Sequence, residues 1–260
     1  MAEGSNRILA VENLSKRFGG FAALYDVGFK LNKGEILGLV GPNGAGKTTT
    51  FNIISGFLRP TTGRVFFQGQ DITNISPYDI ARIGLVRTFQ LNKIFSSLTV
   101  EENIRIGCHL HRKGGPRRFV FGTPKNEKDE LEARKKSIFE SVGLDELKGK
   151  LAEDLPYGDQ KMLGIGISMA TDPTLLLLDE PFAGMNIVEA NRCVSILRRI
   201  VQKGTTVFLV DHNMRAVMGF CDRIIVLNFG RKIADGTPDE IKENPEVINS
   251  YLGGVEGADS

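Results

Sequence analysis

The chain has 260 residues, 41% hydrophobic and 25% charged, enough to bury a core without disulfides or structural metals. Its 33 basic residues nearly cancel 31 acidic ones, leaving +2, so the basic excess of a phosphate-reading nucleic-acid protein is missing and no nucleic-acid partner is expected. Cys108, Cys193 and Cys221 form neither a CxxC pair nor a zinc-type cluster, and their odd number suits a reducing compartment. Met1–Arg7 lacks the apolar core of a secretory signal, and no run reaches the roughly 18 apolar residues of a bilayer span. A membrane role is expected to work by docking onto another protein.

In chain order, Ile8–Val11 and Ile36–Val40 are apolar and rich in β-branched residues, which predicts strands. Another strand, Arg64–Gln68, follows the turn Thr61-Thr62-Gly63. A helix is expected to start within Gly44–Lys47, run toward Gly56 and end near Pro60. From about Thr99 to Leu155 the character changes. Thr99-Val-Glu-Glu-Asn103 reads as a helix start, and Glu127–Val142 as a charged amphipathic helix with Ile138, Phe139 and Val142 on one face. Between them lies the basic, breaker-rich Lys113-Gly-Gly-Pro-Arg-Arg118. This stretch reads as a helical subdomain inserted into an α/β core. The basic residues at His109–Lys113 and Arg117–Arg118 read first as a solvated loop, and second as a patch for anionic lipid or an acidic loop.

The α/β pattern then resumes. Leu175–Leu178 and Val207–Val210 are fully apolar, as parallel strands buried on both faces should be, and the helical segment Val188–Lys203 between them completes a βαβ unit. One short C-terminal helix is expected after Asp235-Gly-Thr-Pro238, ending near Leu252 before a polar tail.

Gly41-Pro42-Asn43-Gly44-Ala45-Gly46-Lys47-Thr48 matches the phosphate-binding pattern G-x-x-x-x-G-K-[ST] at every fixed position. Glycines let backbone amides approach phosphate oxygens, and the following helix, which Thr49 continues, adds partial positive charge at its N-terminus. Lys47 is expected on the β- and γ-phosphates and the Thr48 hydroxyl on Mg²⁺. Asp179 and Glu180 then end an apolar run, at the strand end where α/β sheets bind ligands. Adjacent side chains diverge there, so Asp179 would hold the metal, directly or through water, while Glu180 polarises the attacking water. The cofactors expected are ATP and Mg²⁺.

Together these residues resemble the ATP-binding cassette (ABC) family over nearly the whole chain. The resemblance implies an α/β P-loop NTPase core, a mixed sheet flanked by helices, with an antiparallel β subdomain and an inserted α-helical subdomain. The core would take residues 1–90 and 156–235, the helical subdomain about 91–155, and a C-terminal helix and tail 236–260. Gln90, in Arg87-Thr-Phe-Gln90, looks like the family's glutamine that senses Mg²⁺ and γ-phosphate beside the membrane subunits. His212 resembles the switch histidine that contacts the γ-phosphate. Phe18, beside Gly19-Gly20, stands where the family stacks an aromatic on adenine, a core position being the alternative.

One segment departs from the pattern. Where the family reads Leu-Ser-Gly-Gly-Gln, this chain reads Leu155-Pro156-Tyr157-Gly158-Asp159. In the family this segment caps ATP held by a partner subunit. Pro156 offers neither hydroxyl nor N–H, and Asp159 brings a negative charge toward a polyphosphate. Two readings stay open: an unequal heterodimer with a weakened site, or neighbouring amides that suffice. Ala183-Gly-Met-Asn186 likewise ends in Asn where the family usually has Asp.

Arg87-Thr-Phe-Gln90, Tyr157-Gly158, Ala183–Asn186 and the ending Asp235–Ile241, Asn244–Val247 and Tyr251–Gly253 look most like ATPases of branched-chain amino-acid importers. That resemblance implies a peripheral ATPase subunit on the cytoplasmic membrane face. Its partners would be integral permease subunits, a second and different ABC ATPase, and indirectly an extracytoplasmic binding protein. A lipopolysaccharide-export ATPase shares Asp179–Gly184 and Val210–Asn213 and is the alternative, with a non-transport ABC ATPase as the rival class. A regulatory GTPase is a weaker rival still, because at Asn92-Lys93 the residues Ile94-Phe95 follow and the Asn-Lys-x-Asp guanine reader is missing there.

Overall fold

The computed structural model describes residues 6–88, 94–110, 125–212 and 214–252. It divides into two compact units: Met1–Arg87, Thr174–Gly184 and Val201–Ser260 form one, Thr88–Pro173 and Met185–Ile200 the other.

The first unit holds two sheets. Strands β1 (Arg7–Phe18), β2 (Phe21–Asn32), β4 (Thr62–Phe67) and β5 (Gln70–Asp71) form an antiparallel sheet in the order β2-β1-β4-β5. The second sheet combines β3 (Ile36–Val40), β6 (Leu85–Arg87), β7 (Leu175–Asp179), β8 (Thr206–Val210), β9 (Arg223–Asn228) and β10 (Arg231–Gly236) in the order β10-β9-β3-β8-β7-β6. All its pairings are parallel except β10 with β9. β3 and β8 are buried at every residue, as continuous apolar runs in a sheet covered on both sides must be.

β1 extends well beyond the expected Ile8–Val11, and β2 lies where the sequence pattern names no strand. Shifts in register interrupt their pairing and break the alternation that reveals a strand. Two of the interruptions carry Asn13 and Asp26 at φ of +50° and +51°, and Asn13 Nδ2 donates to Asp26 Oδ1 at 2.7 Å. Asn and Asp tolerate that conformation better than other side chains. Between the two sheets, Phe208 of β8 packs on Phe29 of β2 and on Phe51 of the helix Lys47–Ile54, with ring centroids 5.5 and 4.9 Å apart.

The second unit is helical among the described residues. Thr99 and Glu102 cap the helix Val100–Leu110 reciprocally: Thr99 N–H donates to Glu102 Oε2 at 2.9 Å, and Glu102 N–H to Thr99 Oγ1 at 3.2 Å. The helix Lys125–Val142 buries Ile138, Phe139 and Val142, the face its spacing predicts. The helix Tyr157–Met169 and most of Ile187–Gln202 complete the unit.

The C-terminal segment differs from the single helix expected. Two short helices, Pro238–Glu243 and Pro245–Leu252, are separated at Asn244, which is extended with ψ of 117°. A residue before proline avoids the helical region, so Asn244-Pro245 forces the break. No helix among the described residues is long and apolar enough to cross a membrane.

Two features of the first unit are testable through stability. Arg87 at the end of β6 donates from Nη2 to Asp179 Oδ2 at 2.6 Å, and from Nη1 to Asn52 Oδ1 at 2.7 Å and Ser55 Oγ at 3.1 Å. Both ionic side chains are nearly buried, at 8% and 15% exposure. Arg87→Met should therefore lower unfolding stability by about 3–5 kcal/mol, read from the denaturant midpoint, because it takes the cationic partner from a nearly buried carboxylate. The β9–β10 hairpin turns on Phe229-Gly230, with φ of +45° and +74°. Such a turn favours Asn at its first position and strains Phe there. Phe229→Asn should raise stability by about 1 kcal/mol in the same measurement.

Candidate functional site

β3 delivers the chain to Gly41 at the carboxyl end of the sheet, between β8 and β9. The backbone of β9 presses on that point: a Cβ on Gly41 would lie 2.2 Å from Leu227 O and 2.9 Å from the Ala45 side chain. Only glycine fits there. The loop then closes on itself, with Ala45 N–H donating to Pro42 O at 3.2 Å, and Gly230 N–H bonds Ala45 O at 3.1 Å from the β9–β10 hairpin.

Gly46 is the N-cap of the helix Lys47–Ile54, at φ of +101°, and no side chain caps that end. The first turn carries no acidic residue either. Its first amides and positive dipole end are thus capped by no side chain of the helix itself, the condition for taking an external phosphate. The Lys47 ammonium lies over the loop, donating to Gly41 O at 2.7 Å and Pro42 O at 2.9 Å. Burial pushes its pKa below the usual lysine value, and the charge of Glu180 pulls in the other direction. Lys47 and Glu180 therefore share one electrostatic site. Pro42, Asn43, Gly44, Thr48 and Thr49 complete the loop and first turn, with Asn43, Gly44 and Thr48 exposed.

Asp179 and Glu180 separate as their position predicts. Asp179 ends β7 and turns to Arg87. Glu180 has φ of +50°, a conformation disfavoured for a long side chain, and its N–H donates to Val210 O at 2.8 Å, one step beyond the β7–β8 ladder. That twist sets its carboxylate 3.3 Å from His212 Nδ1. Asp211 is wholly buried, and its Oδ2 accepts Phe182 N–H at 2.9 Å, fastening the segment after Glu180 to the segment before His212. Arg87 and Asp211 stand inside the segments Arg87–Gln90 and Val210–Asn213, but neither segment announces their pairing with Asp179 and Phe182. The one signal was an Arg and an Asp at the ends of apolar runs, where a polar side chain needs a partner.

The donors fit a magnesium ion. Thr48 offers a hydroxyl and Asp179 a carboxylate, whose lone pairs serve more partners than Arg87 alone. Mg²⁺ is characteristically held by one or two protein oxygens, with water and phosphate supplying the rest. Among the described residues no cluster of three or more His, Cys, Asp or Glu forms a cage of its own. Gln90, assigned to metal and γ-phosphate by resemblance, lies outside the described residues, as do Asn92-Lys93 and the Lys113–Arg118 loop.

Phe18 closes β1 and pairs across Gly19-Gly20 with Phe21. Its side chain is 49% exposed, and Lys16 Nζ lies 5.0 Å from the ring centroid. The core alternative for Phe18 is thereby ruled out.

In the second unit, Pro156 is the N-cap of the helix Tyr157–Met169. Tyr157 is exposed, with Lys161 Nζ 5.4 Å from its ring centroid, and Gly158 is buried. Asp159 is ion-paired with Arg192. Asn186 caps the helix Ile187–Gln202: its Oδ1 accepts the Val188 and Glu189 N–H groups, and Glu189 Oε2 accepts its own N–H. Asn serves this capping role as well as Asp does.

With this geometry in view, comparison with known proteins identifies the family. The ABC transporter family model matches residues 24–183, and a model described as branched-chain amino acid ATP-binding cassette transporter matches 231–257. The chain is 41% identical over 252 residues to the high-affinity branched-chain amino acid transport ATP-binding protein LivG of Salmonella typhimurium, covering 96% of this chain and 99% of that one. It is 39% identical over 252 residues to BraF of Pseudomonas aeruginosa, described in the same terms, with the same coverage. Among solved structures, the ADP conformation of MJ1267, an ATP-binding cassette of an ABC transporter, superposes with a TM-score of 0.84 at 34% identity, covering 95% of this chain and 99% of that one. The chain belongs to the ABC transporter family, as one of its ATP-hydrolysing, nucleotide-binding subunits.

Proposed function

We propose that this chain powers the import of branched-chain or other hydrophobic amino acids. In this reading it sits peripherally on the cytoplasmic face of the membrane, beneath integral permease subunits, and pairs with a second, different ABC ATPase. An extracytoplasmic binding protein supplies the cargo. The observation that carries the reading is the convergence of Lys47, Asp179, Glu180 and His212 at the carboxyl ends of neighbouring strands, in a chain that matches LivG over 96% of its length. The match of 231–257 to the branched-chain amino acid model supports the cargo class.

The roles of the residues follow from their chemistry. The amides of Gly41–Thr49 and the open helix end hold the phosphates of ATP, and Lys47 exchanges the carbonyls of Gly41 and Pro42 for β- and γ-phosphate oxygens. Thr48, Asp179 and Gln90 are the residues that would hold Mg²⁺, which when bound neutralises phosphate charge. Glu180 accepts a proton from water as the water oxygen bonds the γ-phosphorus and the bond to the ADP oxygen breaks. His212 steadies that carboxylate and contacts the γ-phosphate. Phe18 stacks on adenine. Pro156, Tyr157, Gly158 and Asp159 cap the nucleotide held by the partner subunit. Closure on ATP and reopening after hydrolysis move the helical subdomain at about 91–155, and through the Gln90 region the permease helices.

The direct test is uptake of labelled leucine by cells lacking this subunit, together with identification of the membrane proteins that co-purify with it. Retained uptake, or ribosomes or DNA in place of permeases, would overturn the reading. Lys47→Ala should weaken ATP binding at least tenfold. Glu180→Gln should keep ATP binding and lose at least a hundredfold in turnover by the assembled complex; undiminished turnover would remove Glu180 from catalysis. Phe18→Ala should raise the ATP Kd about 5- to 150-fold, corresponding to about 1–3 kcal/mol of lost stacking.

A further inference from the structure

The helix Tyr157–Met169 starts with an electrostatic conflict. Asp159 lies in its first turn, where a carboxylate stabilises the helix dipole. The same charge would repel a phosphate brought to that end, and Pro156 supplies no hydroxyl to compensate. The geometry resolves the conflict through a second helix. Asp159 Oδ1 lies 2.7 Å from Arg192 Nη1, and the Asp159 side chain is only 12% exposed. Arg192 is itself aimed by a second bond, from Nη2 to Gly143 O at 2.8 Å.

The position of Arg192 is set by how its helix begins. Asn186 and Glu189 cap the helix Ile187–Gln202 reciprocally, which fixes its start and so the side from which Arg192 projects. Glu189 also lies against the other helix: a Cβ on Gly158 would stand 2.9 Å from Glu189 Oε1. The two helix starts are therefore in close contact at Gly158, with the Asp159–Arg192 pair beside them.

We propose that Arg192 is a positioning residue for ATP turnover. It holds the Asp159 carboxylate against its guanidinium and offsets that charge at the start of the helix, where the neighbouring Glu189 carboxylate is engaged by the Asn186 N–H. The serine-less segment is then competent because a neighbouring cation masks its aspartate. This rests on the reading that Pro156–Asp159 caps the partner subunit's ATP.

The test uses the assembled transporter, with permease and partner ATPase present, and reads maximal ATP turnover. Arg192→Ala should reduce it at least tenfold. Arg192→Lys, which keeps the charge, should retain more than Arg192→Ala. Adding Asp159→Asn to Arg192→Ala should restore at least fivefold of the loss, a relief that a purely structural role for Arg192 would not allow. Turnover of Arg192→Ala at the parental rate overturns the proposal. So does a loss that Asp159→Asn fails to relieve, which would assign Arg192's effect to its bond with Gly143. Pro156→Asp separates this from the underlying reading, because Pro156 is exposed and Asp is a favourable N-cap, so the fold is not at risk. If Pro156→Asp leaves turnover intact, the segment does not meet nucleotide and the capping reading itself fails. If Pro156→Asp abolishes turnover while Arg192→Ala is silent, only the role of Arg192 falls.

Discussion

The phosphate loop sits where β9 leaves no room for a side chain. Leu227 O stands 2.2 Å from the place a Cβ on Gly41 would take, so the chain leaves β3 in close van der Waals contact with the neighbouring strand. The same β9–β10 hairpin reaches further: Gly230 N–H bonds Ala45 O, and Gly230 O accepts Tyr25 N–H from β2. One hairpin thus joins the loop to both sheets. A loop that must present amides to a highly charged ligand gains from such anchoring, because preorganised donors need not reorganise when the ligand arrives. The strain carried by Phe229 in that hairpin is consistent with a turn whose geometry is dictated by what it holds.

The rest of the site follows from burial of the parallel strands. β3, β7 and β8 run in one direction and are apolar almost throughout, so polar chemistry can emerge only at their ends. Charges crowded there need partners. Asp179 finds Arg87, Glu180 lies beside His212, and buried Asp211 accepts a backbone N–H from Phe182. Glu180 departs from ordinary backbone geometry, and its bond to Val210 O holds it there. Adjacent carboxylates are thereby sent to different partners by backbone conformation as much as by side-chain choice.

What could be read beforehand follows the same division. The Gly41–Thr48 loop and the Asp179-Glu180 pair were legible because phosphate chemistry demands those residue types at that spacing, whatever surrounds them. The buried strands β3, β7 and β8 were legible as apolar runs. β2 was not, since bulges at Asn13 and Asp26 disturb the alternation of its sheet. Arg87 and Asp179 stand 92 residues apart, and no local pattern records a pairing made by tertiary packing. The division of the C-terminal segment was missed although Asn244-Pro245 states it, since a residue before proline leaves the helical region.

Asp159 shows why a motif is read together with what packs against it. Taken by itself, a carboxylate at the tip of a helix opposes any phosphate. Its effect depends on how far its field reaches unscreened, and a guanidinium at 2.7 Å turns the isolated charge into a local dipole. Arg192 stands well down the sequence on another helix, so the string Leu155–Asp159 cannot reveal it. Departure from a family's residues is thus weak evidence for loss of that family's chemistry until the compensating charge has been sought. By the same logic, Asn186 in place of aspartate keeps the capping bonds that start its helix. An unequal pair of ATPases needs more than two altered segments; it needs altered segments whose charges the fold has left uncompensated.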